Sequence, residues 1–481
     1  MITRAKNQLR HLLPKNAFAR GVSVLVGGTA SAQLLLVLAA PLLTRLYSPE
    51  DFGLLAVYAS LLALIGVVSS LRYELAIPLP EDDGEAANIA ALSLILVGAS
   101  TVLTGILVVL LGPAIADALG VPALAPYLWL LPVGVLIGGA YTVFNYWAVR
   151  TKRFTNIAGT KLRQAFATIA IQLAAFKLGG IALLFGQVAG QGVGTASLGR
   201  PALASEGFKQ VTWGGISCAA GRYRRFPIFS TWGGFINAAG GKLPIFYLSS
   251  LFSPTLAGLY LLTERVIFGP SGILQNAVSQ VLFSRAQERL DVDRYSKLTG
   301  DVHKNLLLIS MPFAAFIFLY SPYIFHHIFG ENWLEAGRYA SALSLMFAFQ
   351  FVSSPLTVIF HSINRSDYTL YYNAILFILR VLALIIGYLF FDSPLSAIIL
   401  FSVFSSVGYL VFSSGTTRAG GLSSKDFIHN HFSALIYTAL IFSIPLAILI
   451  LFNKTLLSLA ISLIAILFHL FYLFGAFKAN E

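Results

Sequence analysis

Long apolar segments recur from one end of this sequence to the other, and they constrain its fold more than any other feature. Examples are ALSLILVGASTVLTGILVVLLG at 91–112 and LLLISMPFAAFIFLY at 306–320. A helix needs roughly 20 largely apolar residues to cross the hydrocarbon core of a bilayer. Only 11% of the residues are charged, whereas a soluble domain carries about 25%. The sequence therefore predicts an all-α polytopic membrane protein.

The positions of these segments predict about fourteen membrane-spanning helices. They lie at 18–44, 52–71, 86–111, 124–149, 154–177, 180–199, 227–251, 256–284, 303–328, 333–361, 369–391, 394–415, 431–451 and 455–477. The first is longer than the apolar core of a signal peptide, and we expect it to be retained as a helix.

The distribution of cations predicts the orientation of these helices. If the N-terminus is cytoplasmic, 23 of the 32 Lys and Arg residues fall in cytoplasmic segments and four fall on the opposite side. Cytoplasmic loops of membrane proteins are enriched in these residues, so we expect both termini in the cytoplasm. The net charge of +12 then indicates topology, and we expect no nucleic-acid partner. The cytoplasmic set includes Arg4, Lys6, Arg10, Lys15, Arg289 and Arg365.

A corner motif occurs twice in the chain. LYSPEDFGLL at 46–55 and LFSPTLAGLY at 251–260 share the pattern L-x-S-P-x-x-x-G-L. Serine is a good N-cap and proline suits the first helical position, so both motifs predict helix starts. Six predicted helices separate them, which indicates two parallel repeats, and internal repeats are common in transporters. The alternative is a chance match of common corner residues.

The repeat predicts an organisation in four parts. They are an N-terminal six-helix lobe at 1–200, a cytoplasmic inter-lobe linker at 201–226, a C-terminal six-helix lobe at 227–418 and an extra transmembrane helix pair at 428–478. The linker is rich in Gly, Ser and Arg, which is typical of a connecting segment.

Charged residues inside the predicted spans are the candidates for a binding site. A charge at the bilayer centre is costly unless it faces a bundle interior or a water-filled cavity. The cations are Lys161, Arg163, Lys242, Arg265 and Arg380. Glu264 is the clearest acid among the spans, which makes it the candidate for ion coupling.

Depth along the helices suggests that some of these charges meet. Lys242 and Glu264 each lie eleven residues from Ser253, or about 16 Å at ~1.5 Å per residue. They could face each other near the midplane, and a cavity shared with Arg265 and Arg380 would be net positive. The alternative is a buried ion pair together with cations that extend to the interface.

The loop SLRYELAIPLPEDDGEAAN at 70–88 supplies candidate gate residues. Arg72 and Glu74 bracket Tyr73 and could latch two lobes together, and Arg45 is a third gate candidate. The alternative is ordinary loop charge followed by an acidic helix N-terminus. That N-terminus would contain Glu81, Asp82, Asp83 and Glu85.

Several other features do not indicate a catalytic or metal site. The single cysteine, Cys218, excludes an intramolecular disulfide and a multi-cysteine metal site. His429 and His431, and the pair at 326–327, have no acidic partners at metal-binding spacing. Gly186, Gly190 and Gly194 are spaced four apart, which predicts close helix packing. We expect no cofactor, no metal and no catalytic residues.

Four segments resemble one known family. LLTRLYSPEDFGLLAVYASLLALI, SLRYELAIPLP, YRRFPIFS and LFSPTLAGLYLLTERV are similar to segments of bacterial polysaccharide biosynthesis and O-antigen repeat-unit flippases. These belong to the multidrug/oligosaccharidyl-lipid/polysaccharide (MOP) exporter superfamily. The resemblance implies two six-helix lobes in a V that opens alternately to each side of the bacterial cytoplasmic (inner) membrane.

The resemblance also implies a function and partners. The expected substrate is a polyprenyl-pyrophosphate-linked oligosaccharide, moved from the inner to the outer leaflet for lipopolysaccharide O-antigen or exopolysaccharide synthesis. Further expected partners are membrane lipids, a polysaccharide polymerase and a chain-length regulator. The alternatives are a cation-coupled multidrug exporter of the same superfamily and a membrane-embedded polymerase or ligase. The exporter should have a carboxylate buried among its first six helices, and none is evident.

Overall fold

In the computed structural model, the described residues are 17–286, 292–362, 366–452 and 454–479. Within them the chain is helical, and no strand occurs. Part of the cationic set used to orient the chain lies outside these ranges. Those residues are Arg4, Lys6, Arg10, Lys15, Arg289 and Arg365.

Fourteen helices of at least twenty residues occupy the described chain, and we number them α1 to α14. The helices are Ala17–Leu46, Pro49–Val68, Asp83–Ala118, Leu130–Arg150, Phe154–Ala174, Gly180–Leu203, Thr231–Leu251, Pro254–Ala286, Val292–Phe329, Leu334–Ser362, Ser366–Phe390, Pro394–Ala419, Ser424–Phe452 and Thr455–Ala479. Their order follows the apolar segments of the sequence, and the prediction of an all-α polytopic membrane protein is confirmed.

Ten of the described helices are long and apolar enough to cross a membrane. Three that fall short, α5, α7 and α8, carry Lys161, Lys242 and Glu264. Charged and small polar residues lower the hydropathy of a helix without preventing a span that faces a protein interior. The total of fourteen spans stays a prediction.

Both serine–proline motifs start a helix, as predicted. The Ser48 hydroxyl accepts a hydrogen bond from the Asp51 amide (3.1 Å), while the Ser48 amide donates to the Asp51 carboxylate (2.9 Å). This reciprocal capping box satisfies donors at the start of α2. At α8, the Ser253 hydroxyl accepts from the amide of Leu256. Pro49 and Pro254 are the first residues of the two helices.

The chain divides into two compact units, one up to Leu262 and one from Thr263 onward. The division falls inside α8, so the first unit holds α1 to α7 together with the segment 204–230. The predicted lobe boundaries at 200 and 227 stay a prediction.

The predicted linker contains two short helices, Glu206–Lys209 and Trp213–Arg222. The Thr212 amide donates to the Asn88 side chain on α3 (3.0 Å). Arg222 forms an ion pair with Glu85 in the first turn of the same helix (2.8 Å). These contacts fix the linker to the start of α3, within the first unit.

The two repeated corners pack against each other within the first unit. A Cβ added to Gly53 of α2 would overlap the carbonyl group of Pro254, and one added to Gly258 of α8 would overlap the carbonyl oxygen of Pro49. The same added Cβ would lie 2.6 Å from the Gly53 amide nitrogen. The contact is reciprocal, since each corner presents its glycine to the proline of the other. Only glycine allows backbones to approach this closely.

The glycine stripe of α6 packs against α5, as predicted from its spacing. Cβ atoms added at Gly186, Gly190 and Gly194 would overlap side-chain atoms of α5. The α5 residues are Gln172, Thr168 and Gln164, which follow the same four-residue spacing in the opposite direction. Small residues at such positions let two helices approach closely in a membrane.

In the second unit, the C-terminal pair α13 and α14 packs against α9. Tyr320 of α9 is fully buried, and its hydroxyl lies 2.6 Å from the Ser458 hydroxyl and 2.9 Å from the Ser462 hydroxyl of α14. Phe442 of α13 and Ile466 of α14 belong to the same buried cluster. The extra pair is therefore joined to the unit by both apolar packing and hydrogen bonds.

Candidate functional site

Lys161 is the cation that the structure places among groups suited to a ligand. It lies on α5, half-buried, with its ammonium nitrogen 5.0 Å from the ring centroid of Tyr141 on α4. A cation over an aromatic face is stabilised by about 0.5–2 kcal/mol, depending on how far it is desolvated. No carboxylate in the described part of the chain lies within ion-pair distance of this lysine.

Neutral polar atoms surround the same face of α4. Tyr141 and Asn145 lie one turn apart, and the Gln191 amide of α6 lies 2.8 Å from the position that a Cβ of Gly138 would occupy. Three of these atoms are buried and make no hydrogen bond within the described structure: the Tyr141 hydroxyl, Asn145 Oδ1 and Gln191 Oε1.

We call Tyr141, Asn145, Lys161 and Gln191 the polar patch. A buried polar atom without a partner carries a desolvation penalty of about 1–3 kcal/mol, so each such atom requires an explanation, and a bound ligand is one explanation. The patch offers one positive charge, an aromatic face and three unsatisfied polar atoms, which suits a ligand that combines anionic and hydroxyl groups.

Arg163 lies near Lys161 in sequence but not in the same environment. It is exposed, and its guanidinium donates a hydrogen bond to the Ser197 hydroxyl of α6 at 3.3 Å. Two residues along a helix correspond to roughly 200° of rotation, so the two side chains point to different sides of α5.

Arg380 is the most deeply buried of the predicted cations, at 5% exposure. Its Nε donates to the Ser405 hydroxyl at 3.1 Å and its Nη2 donates to the Tyr409 hydroxyl at 3.0 Å. The guanidinium also lies 5.3 Å from the centroid of the Phe401 ring. In the described residues its partners are neutral groups of α12, so the positive charge stays uncompensated inside the second unit.

The three remaining charged candidates are half-buried on α7 and α8. They are Lys242, Glu264 and Arg265. Lys242 belongs to the first unit, two residues before Pro244 of α7, whereas Glu264 and Arg265 belong to the second unit. The pairing of Lys242 with Glu264 and the shared cavity stay predictions.

The structure brings the gate candidates Arg72 and Glu74 together. Their charged groups are 3.7 Å apart, and Glu74 is only 2% exposed. Burial raises the pKa of the Glu74 carboxyl, and the hydrogen bond from Ser70 and the charge of Arg72 offset this only in part. The Arg72 guanidinium also lies against Gly234 of α7. A Cβ added to Gly234 would lie only 3.0 Å from Arg72 Nη2.

This corner has an uncommon backbone. Leu71 and Arg72 have φ values of 49° and 62°, a left-handed region that costs an ordinary residue of order 1 kcal/mol or more. Two such residues in succession reverse the chain between α2 and α3 and turn Arg72 toward α7. The third gate candidate, Arg45, is exposed in the last turn of α1.

The acidic helix N-terminus predicted beside the gate is also present. Asp82 caps α3 by accepting a hydrogen bond from the Glu85 amide at 2.7 Å. Asp83 forms an ion pair with Arg150 at the end of α4, at 2.8 Å. The acidic N-terminus of the alternative interpretation is therefore present at 81–85, and the role of Arg72 and Glu74 as a gate latch stays a prediction.

The sequence identified Lys161 but not the neutral members of the polar patch. A signal was present, because Gly138, Tyr141 and Asn145 share one face of α4 at spacings of three and four. Neutral polar residues are common in membrane helices, however, and only the position of Gln191 on α6 reveals that the face is shared.

Comparison with known proteins agrees with the family resemblance. The profile of a family described as polysaccharide biosynthesis protein matches residues 42–338. This range covers more than half of the chain. No curated protein matches the sequence.

Solved structures of a lipid flippase and of multidrug transporters share this fold. A structure of the lipid II flippase MurJ in an inward closed conformation matches with a TM-score of 0.74 and 14% sequence identity, over 94% of this chain and 99% of that one. An inward-facing multidrug resistance MATE family transporter of the MOP superfamily gives 0.57 and 14%, over 82% and 93%. An outward-facing form gives 0.55 and 16%, over 84% and 96%.

These similarities show the fold, and the profile shows the family. The prediction of a polysaccharide biosynthesis protein with the fold of the MOP superfamily is confirmed. The chain is a multi-pass membrane protein that belongs to the polysaccharide biosynthesis protein family.

Proposed function

We propose that this protein is a flippase that moves polyprenyl-pyrophosphate-linked oligosaccharide repeat units across the bacterial inner membrane by alternating access. The observation that carries the proposal is the polar patch, in which Lys161 lies over Tyr141 beside three unsatisfied buried polar atoms. Membership of the polysaccharide biosynthesis family and the fold shared with the lipid II flippase MurJ support it.

The chemistry of the patch suits such a substrate. An ammonium group can replace part of the water around a pyrophosphate, because charge-assisted hydrogen bonds to phosphate oxygens are about twice as strong as neutral ones. Sugar hydroxyls both donate and accept hydrogen bonds. They can therefore supply partners to the Tyr141 hydroxyl and to the amide oxygens of Asn145 and Gln191. The lipid tail can remain in the bilayer while the head group crosses.

The other predicted cations have proposed roles in the same process. Arg380 adds positive potential within the second unit, and Lys242, Arg163 and Arg265 extend it along their helices. Glu264 is the candidate for ion coupling, and Arg72 with Glu74 forms a candidate latch. We place both termini in the cytoplasm and assign the substrate to O-antigen or exopolysaccharide synthesis, with a polymerase and a chain-length regulator as downstream partners.

A cation-coupled multidrug exporter is the second candidate, because MATE transporters share the fold. Carboxylates in α1 to α6 occur only in first or last turns of these helices. They are Glu50, Asp51, Asp83, Glu85 and Asp117. Glu74 is a buried carboxylate that was not evident from the sequence, but it lies in the corner between α2 and α3 and is paired with Arg72. A coupling carboxylate would be expected near mid-helix, so this arrangement favours the flippase.

Flipping in proteoliposomes tests the proposal. The reconstituted protein is given a lipid-linked oligosaccharide in one leaflet, and its arrival in the other is followed with an added glycosidase. We expect flipping by the unmodified protein and at least a tenfold slower rate for Lys161→Gln. Lys161→Arg, which keeps the charge, should retain most of the rate.

The matched control is Lys177→Gln, which removes an exposed lysine from the turn that follows α5. It should flip at the unmodified rate. If the Lys161→Gln variant flips the substrate at the unmodified rate, the polar patch does not take part in transport. Export of a cationic dye without oligosaccharide flipping would instead establish the multidrug exporter.

A further inference from the structure

Two histidines from distant parts of the chain, one buried and one half-buried, meet where α13 packs against α9. His303 of α9 is completely buried, and its ring centroid lies 5.0 Å from that of His431 on α13. Sequence spacing does not relate them, since they are 128 residues apart. Neither belongs to the polar patch.

Their hydrogen bonds define which nitrogen atoms carry protons. Nδ1 of His431 lies 2.9 Å from the Phe427 carbonyl oxygen, which only accepts, so this nitrogen carries the proton. Nδ1 of His303 lies 3.3 Å from the Asn430 amide nitrogen, which donates, so the proton of His303 is on Nε2. In the neutral pair, therefore, His303 Nε2 is a donor and His431 Nε2 is an acceptor.

Both Nε2 atoms are buried and make no hydrogen bond within the described residues. A complementary donor and acceptor thus lie on adjacent rings. Phe427 stacks on the His303 ring with centroids 4.9 Å apart, and Phe349 of α10 lies parallel to the His431 ring at 6.1 Å. The two histidine rings therefore lie between aromatic walls in the α9–α13 seam.

No charged side chain of the described residues lies within ion-pair distance of either ring. On α9 the nearest charged residues in sequence are Asp301 and Lys304, and on α13 they are Lys425 and Asp426 with the titratable His429, all exposed. Among the described residues, α10 contributes Phe349 to the contacts of the pair, and α13 contributes Phe427 and Asn430. Farther along α9, helix α14 brings in the titratable His469, whose Nε2 lies 2.9 Å from the Leu308 carbonyl oxygen of α9. A proton taken up by the pair would therefore be the only charge in direct contact with these walls.

We propose that His303 and His431 form a proton-binding site that controls how tightly the C-terminal helix pair holds α9. Protonation of His431 Nε2 turns the acceptor into a second donor beside the donor of His303 and places a charge in an aromatic seam. The seam then loosens. Proton binding by this pair does not depend on the proposed function. The inference rests on that function only where it gives the proton a role in flipping, as the ion that releases α13.

Histidine titration in the unmodified, full-length protein tests proton binding directly. The chain has eight histidines, and 15N-histidine NMR of the detergent-solubilised protein resolves their titrations, with His303→Phe and His431→Phe used for assignment. We expect the His431 signal to change as the pH falls from 8 to 4, and His303→Phe to alter that titration. A His431 signal that is constant over this range, or unaffected by His303→Phe, would overturn the proposal.

Hydrogen exchange at a fixed pH tests the effect on the seam. At pH 5.5 the amides of α13 should exchange at least threefold faster in the unmodified protein than in His431→Phe, whereas at pH 8 the two should match. His429→Phe, two residues away and exposed, should behave as the unmodified protein. Equal exchange at pH 5.5 would contradict release of α13. A protein that titrates as expected but does not flip lipid-linked oligosaccharide would contradict the flippase function and leave the proton site established.

Discussion

At the scale of single residues, buried charges in this protein are held mainly by neutral groups. Arg380 is bound by two hydroxyls and an aromatic ring, and Lys161 by an aromatic ring. Glu74 does have a cation nearby, but its shortest contact is the Ser70 hydroxyl. A charge held by neutral donors and acceptors keeps its electrostatic potential, so it can still attract a ligand of opposite sign.

Tyr409→Phe should reveal how far Arg380 depends on its hydroxyl partners. The substitution leaves a buried guanidinium N–H without an acceptor, and we expect a loss of about 1–3 kcal/mol of stability. Thermal denaturation in detergent should show a lower Tm. Tyr388→Phe is the matched control, because Tyr388 is 58% exposed on the helix that carries Arg380, and its Tm should be unchanged.

Glu74 should make stability depend on pH. Its folded pKa lies above the ordinary value of 4.5 because of burial, so the folded state binds the proton more tightly than the unfolded state. Stability should therefore fall as pH rises from about 4.5 through the folded pKa. Glu74→Gln cannot titrate, and its Tm should vary less over this range, whereas the exposed Glu206→Gln should follow the unmodified protein. An identical pH dependence for Glu74→Gln would contradict this assignment.

At the scale of helices, the sequence predicted where helices begin and in what order they follow better than it predicted which helices contact each other. Apolar run length and the Ser-Pro corners depend on neighbouring residues only, and α2 and α8 begin where those corners indicated. The polar patch and the pair formed by His303 and His431 depend on which helix faces become neighbours, and no local pattern encodes that. The glycine stripe of α6 was predictable because its four-residue spacing itself implies a close neighbour.

Gly258→Ala tests the reciprocal contact of the two corners. The new methyl group must displace the Pro49 carbonyl, and overpacking of this kind costs about 1–3 kcal/mol. Gly272→Ala is the control on the same helix, since a Cβ there meets nothing within 4 Å. It should be neutral or stabilising by up to about 1 kcal/mol. Tm values in detergent distinguish the two, and equal effects would show that the corners can separate freely.

Gly53→Ala should resemble Gly258→Ala because both methyl groups enter the same interface. Once one substitution has separated the corners, the second should add little, so the double variant should lose clearly less stability than the two losses combined. Strict additivity, measured in the same denaturation assay, would indicate that the two glycines act at independent sites.

At the scale of the whole molecule, the chain combines an apolar composition with a net charge of +12. Composition alone predicted a membrane protein, and the family profile and the fold agree with that prediction. Sequence could not establish whether Lys242 meets Glu264, because that depends on how two separately packed units associate rather than on depth along each helix.

Membrane potential should influence the proposed transport. An inside-negative potential favours outward movement of an anion by about 2.3 kcal/mol per charge per 100 mV. We expect flipping of the pyrophosphate-linked substrate to accelerate when a potassium diffusion potential of this sign is imposed, and to slow when it is reversed. A rate that ignores both signs would show that compensating ions move with the substrate.

The reciprocal corners have a consequence for how this chain can change. Because each corner presents its glycine to the proline of the other, a larger residue at either position affects both corners at once. Two segments so far apart in a sequence normally diverge separately, but here they share one constraint. Second-site suppressors of Gly258→Ala should therefore arise around Pro49 and Gly53, some two hundred residues away in sequence, rather than beside the original substitution.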